Sequence, residues 1–122
     1  MGSAQVTIFI PSVDRDGKKI DQGLWRDEAL RVLGKLFRGA TAFPPGKGVW
    51  RDDARGGALL FDDTVLVTSY ADPAVLEGAL PPLRHFLHRL GREANQGEVG
   101  LVVGGEYYSI QVFDPDKRGG RA

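Results

Sequence analysis

Apolar and polar residues recur along this chain with two periods, and the places where the period changes mark the elements. Val6 to Ile10, VTIFI, is a short β-branched run closed by Pro11, which predicts a buried strand. Asp14, Asp16 and Gly17 then make the following segment a turn-rich loop. From Asp21 the period lengthens. Trp25, Ala29, Val32, Leu33, Leu36 and Phe37 fall on one face of a helix, with Arg26, Asp27, Glu28, Arg31 and Lys35 on the other. Asp21 suits the N-cap and Gly39 a left-handed stop.

Thr41 to Phe43 predicts a strand start broken by Pro44-Pro45-Gly46, and Val49 to Arg51 resumes it. Asp52 to Gly57 is a turn. Ala58 to Phe61 and Thr64 to Tyr70 form the return strand, with a bulge expected near Asp62-Asp63. Asp72-Pro73 predicts a capped helix start. Leu76, Leu80, Leu83, Leu87 and Leu90 keep a helical stripe, broadened by Phe86, through a kink at Pro81-Pro82 to a stop at Gly91 or Gly97. Val99 to Val103 and Tyr107 to Phe113 then flank the hairpin signal Gly104-Gly105.

The order is β-α-β-β-α-β with one more strand. It predicts an α+β, ferredoxin-like domain over residues 1–113, with two helices on one face of an antiparallel sheet. A flexible polar tail is expected over 114–122. Valine, leucine and tyrosine occupy both alternations of the strands, so the uncovered sheet face is expected to be apolar and to pair with a second copy or another protein.

Composition narrows the function. Lys plus Arg and Asp plus Glu number 16 each, so no net field draws the chain to nucleic acid or anionic lipid. The absence of cysteine removes disulfides, thiolate metal sites and cysteine nucleophiles. No apolar stretch approaches the roughly 20 residues that span a bilayer. The first residues lack a basic, then apolar, leader, so a cytoplasmic location is expected.

Gly48-Val49-Trp50-Arg51-Asp52 and Gln96-Gly97-Glu98-Val99 carry a resemblance. The chain resembles, over roughly Val6 to Val103, a loose group of small bacterial proteins with a ferredoxin-like domain and no assigned function. Those proteins have a Trp before an acidic strand and a Gln-x-x-Val entering the last strand. The resemblance implies the fold and no catalytic residue.

In this topology three loops share one end of the sheet. They bring Asp14 and Asp16, then Trp50, Arg51, Asp52 and Arg55, then Asn95 and Gln96 to one rim as candidate ligand-binding residues. Loops are also polar simply because they are solvated. The reading is a non-enzymatic binding or accessory module rather than an enzyme, without cofactor or bound metal. The alternative is a metal-dependent nuclease or phosphodiesterase using Asp14 with Asp52 or Asp53, since Mg²⁺ takes oxygen ligands. Pro45-Gly46-Lys47-Gly48 lacks phosphate-loop spacing and reads as a connector. His85 and His88 lack a third zinc ligand and read as solvated helix histidines, though a heme protein would have to use them. No serine has a nucleophile-elbow context. Trp25 fits the core stripe and Trp50 the rim.

Overall fold

The computed structural model describes residues 3–115, so 116–122 of the expected tail lie outside the described residues. Strand β1 is Ala4–Ile10, helix α1 Gln22–Phe37, β2 Thr41–Ala42, β3 Gly46–Asp52, β4 Ala58–Ala71, α2 Pro73–Glu93, β5 Val99–Val103 and β6 Glu106–Ile110. The sheet is antiparallel in the order β2-β4-β1-β5-β6, and β3 continues the β2 edge along the first half of β4. This is the ferredoxin-like arrangement, with β6 added beside its last strand.

Local chemistry explains both helix starts. Asp21 accepts from the Leu24 amide, and Asp72 accepts from the Ala74 amide with Pro73 in the first turn. At the end of α1 it is Arg38, at φ 78°, that takes the left-handed cap, one residue before the expected Gly39. Helix α2 runs unbroken through Pro81 and Pro82 to Glu93. Both prolines are exposed, as are Glu77 and Gly78, whose carbonyls lose the helical amide partners that proline does not supply. Neither expected glycine ends the helix: Gly91 lies buried in its last turns and Gly97 beyond it.

The core is one layer between helices and sheet. Val6, Ile8 and Ile10 from β1, Val65 and Val67 from β4, and Val99 and Leu101 from β5 meet Trp25, Ala29 and Leu33 of α1 and Leu83, Phe86, Leu87 and Leu90 of α2. Leu80 is exposed and Ala79 takes its place in the buried stripe. Trp25 and Phe86 pack 6.2 Å apart, and the Arg89 guanidinium covers both rings. Glu28 and Arg89 pair at 2.8 Å across the two helices, and that bond holds the Glu28 carboxyl below its ordinary range.

Two further expectations change. The β3–β4 register runs without interruption from Gly46↔Thr64 to Asp52↔Ala58, so there is no bulge at Asp62-Asp63. Gly46 to Gly48 are strand residues rather than a connector. Strand β4 therefore has 14 residues, and its first half projects with β3 past the end of β1 as a two-stranded arm. A single 3-10 turn, Asp53–Arg55, closes the arm, with Gly56 and Gly57 at φ 72° and 84°.

The far face of the sheet is mixed. At its centre Gln5 donates to Thr68, and the Thr7 and Thr68 hydroxyls bond at 2.9 Å, so the middle is a closed polar row. Phe9, Leu66, Tyr70 and Tyr107 lie to either side. The arm also carries an uncovered apolar surface, where Val49, Leu59, Leu60 and Phe61 are 52%, 60%, 46% and 68% exposed.

Candidate functional site

The three loops do share one end of the molecule. The Arg15 amide donates to the Asn95 carbonyl at 2.9 Å, and Gln96 Nε2 donates to the Val13 carbonyl at 3.0 Å. The arm leaves β4 at the same end, because Ile10 pairs with Val65 and everything in β4 before Val65 lies beyond β1. Between the arm and the loops is a cleft of about 580 Å³, within the size range of small-molecule sites.

The candidate residues divide into two groups. Asp14, Trp50, Arg51, Asp52, Arg55 and Gln96 line the cleft, whereas Asp16 and Asn95 do not. Those two are a clamp behind it. Asn95 Nδ2 donates to Asp16 at 3.0 Å and to Asp14 at 3.3 Å, with the Asn95 backbone in the left-handed region at φ 50°. Asp14 also accepts from the Lys18 and Asp16 amides, and these bonds, the Lys18 amide first, hold its carboxyl below the ordinary range. Gln96 is buried and bonds to two carbonyls, so it pins the loop more than it faces the cleft. At the arm tip, Arg51 is bound by Asp53 and Arg55 by Asp52.

Sequence reasoning brought Glu98 to this end of the sheet with the third loop but missed the rest of the inner wall. Phe9, Leu60, Asp62, Thr64, Glu98 and Gly100 line that wall. Asp62 accepts from both the amide and the hydroxyl of Ser12. Glu98 accepts from the Tyr107 hydroxyl at 2.6 Å. Partial desolvation of the half-exposed ring, then the Glu98 carboxylate, push the Tyr107 phenol above its ordinary range. The Tyr107 ring lies across Gly100 and edge-on to Phe9 at 6.0 Å. The signal for this was present but unreadable locally: Gly100 leaves the room that Tyr107, seven residues later, fills. A Cβ on Gly100 would sit 2.7 Å from the Tyr107 oxygen. Gly100→Ala is therefore expected to turn Tyr107 off Glu98 while leaving the core intact. Ultraviolet titration checks it, because the phenol's midpoint should fall toward the ordinary value of roughly 10; an unmoved midpoint would show the ring had found the same place.

Ser12 and Asp62, and Glu98 and Tyr107, are thus two carboxylate–hydroxyl pairs on the inner wall, with aromatic carbon beside them and guanidinium groups at the mouth. Neither inner carboxylate has a cation partner among the described residues. Such a surface can accept hydrogen bonds from hydroxyl or amino groups and pack a flat ring. The Asp53 half of the nuclease alternative is not in the cleft, since Asp53 lies at the tip on Arg51. Among the described residues no three His, Asp or Glu side chains gather to hold a metal ion. His88, expected to be solvated, is instead buried, and no described helix is long and apolar enough to cross a membrane.

No protein-family model matches the chain, and no curated protein does. Solved structures do. A phage SAM lyase in complex with S-methyl-5′-thioadenosine superposes with a TM-score of 0.67 at 16% identity, covering 91% of each chain. The divalent cation tolerance protein CutA1 of Thermus thermophilus matches at 0.51 and 12% identity, over 98% of this chain and 92% of that one. CutA of Xylella fastidiosa matches at 0.52 and 12% identity, over 99% and 93%. At these identities the likeness is one of fold: small α+β proteins with two helices on an antiparallel sheet.

Proposed function

We propose that this chain is a small-ligand-binding protein that takes a flat-ringed, hydroxyl- or amino-bearing molecule of nucleoside type into the cleft beneath the arm. The observation that carries the reading is the inner wall: Glu98 and Asp62 accept only from hydroxyl and amide groups, next to Phe9 and below Trp50. Both carboxylates keep acceptor capacity for a sugar hydroxyl or an amino group. The nucleoside thioether held by the structural neighbour supports the choice of ligand class. The location this reading carries is cytoplasmic.

The reading also includes self-association. The expected pairing surface was the open sheet face, but the polar row of Gln5, Thr7 and Thr68 crosses its centre. The arm supports the role better. It exposes Val49, Leu59 and Phe61 on one side and Trp50 and Leu60 on the other, and the outer edge of β3 pairs with no other described strand. An exposed apolar ribbon with an open edge is a surface for another chain. A second copy covering the arm would also roof the cleft that Trp50 and Leu60 line.

The test is a fluorescence titration of the full chain with S-methyl-5′-thioadenosine, S-adenosylmethionine and adenosine, with a divalent cation alone as comparison. Trp50 is 40% exposed in the cleft and Trp25 is buried away from it, so Trp50→Phe identifies the reporting ring. A saturable change with at least one nucleoside, at a Kd of about 1 mM or tighter and weakened about tenfold or more by Glu98→Gln, is the expected result. A response to the cation alone, or none, would overturn the reading.

A further inference from the structure

Residues 111–115, after β6, stay against the domain. Gln111 lines the cleft, and Phe113 and Asp114 then lie back on the surface of α2. The Phe113 ring occupies the space a side chain would need at Gly91, where a Cβ would fall 2.2 Å from the ring. It meets the His88 ring edge-on at 6.1 Å. The Asp114 amide donates to His88 Nδ1 at 2.8 Å, Arg84 pairs with the Asp114 carboxylate at 2.8 Å, and Arg92 donates to the Asp114 carbonyl. Arg84, His88, Gly91 and Arg92 form one stripe along α2 by helical spacing. The segment is a strap with four holds, and one end of it is a wall of the cleft.

One of those holds depends on protonation state. His88 is 6% exposed, and its Nδ1 serves as acceptor, so the ring is neutral with its proton on Nε2. A proton added at Nδ1 would point a donor at the Asp114 amide, which is itself a donor. We propose that His88 is an acid-sensitive catch that keeps the strap of residues 111–115 against α2 and Gln111 in the cleft wall, and that acidification opens it.

The groups around His88 set the direction. Burial comes first in holding its protonation below the ordinary 6.5; the nearby Arg84, Arg92 and His85 act the same way, and the Asp114 carboxylate opposes them. A histidine with a lowered midpoint contributes stability that is complete above about 6.5 and is lost as pH falls toward the folded-state value. The catch is therefore closed at neutral pH and opens in acid.

The experiment is amide hydrogen exchange and histidine titration by NMR on the full chain, at about pH 7.5 and about pH 5, with exchange corrected for intrinsic rate. His88 is expected to titrate below 6.5. The Asp114 amide should lose protection by about tenfold or more across that midpoint, and the Gln111 side-chain amide should shift with it, while the amides of Val6 and Ile8 stay protected. His88→Gln should make strap protection independent of pH in this range. Gly91→Ala should expel Phe113 and open the strap at both pH values with the core still folded. A His88 midpoint at or above 6.5, an unchanged pH response in His88→Gln, or a closed strap in Gly91→Ala would each overturn the proposal.

Discussion

Truncating Phe86 to alanine is expected to lower stability by about 3–5 kcal/mol, the range for removing a large buried aromatic. Phe86 is 2% exposed and sits where α1, α2 and the Arg89 guanidinium meet. Its loss opens a cavity and removes one of the two rings under Arg89, whose other partners are Glu28 and Glu93. A domain of this size has about 5–15 kcal/mol in total, so the variant would lose a large fraction of its stability. Denaturant unfolding read from Trp25, which is buried against Phe86, measures the change. A loss below about 1 kcal/mol would mean that Phe86 is not packed between the two helices.

The second large effect concerns the arm. Leu59→Ser together with Phe61→Ser is expected to convert an associated protein into a monomer at micromolar concentration. The two residues are 60% and 68% exposed and contribute nothing to the monomer's core, so its thermal unfolding should change little. Each side chain fully covered in an assembly is worth roughly 1.5–3 kcal/mol, and losing two would weaken association by several tenfold steps. Light scattering after size exclusion decides the matter. A wild-type chain that is already monomeric, or a double variant that keeps the wild-type mass, would remove the arm from the account.

Much of this fold was legible because it rests on local signals. Asp21 and Asp72 announce the helices through their caps, and Trp25, Leu83 and Leu87 fall on the buried face by spacing alone. The convergence of the three loops follows from topology, which by itself places Asp14, Asp52 and Gln96 at one end. What could not be read depends on partners distant in sequence. Gly46-Lys47-Gly48 looks like a loop until Asp62, Asp63 and Thr64 pair with it. Asp62 reads as a bulge residue in isolation and is a wall residue once Ser12, fifty positions earlier, bonds to it. Gly91 passes for a helix stop because nothing nearby announces the Phe113 ring it accommodates. His88 reads as a surface histidine for the same reason. The candidates Asp16 and Asn95 were assigned to the rim, yet their side chains are spent on each other rather than turned to the cleft.

The most direct test of the cleft is where a ligand's footprint falls. Backbone amide shifts recorded through a titration with S-methyl-5′-thioadenosine are expected to move at Phe9, Trp50, Asp62, Glu98 and Gly100 with one common midpoint. Residues of the separate α1–α2 groove, such as Asp27 and Arg31, are expected to stay still. Saturating shifts centred on that groove, or no saturating shifts at all, would contradict the assignment of the cleft as the working site.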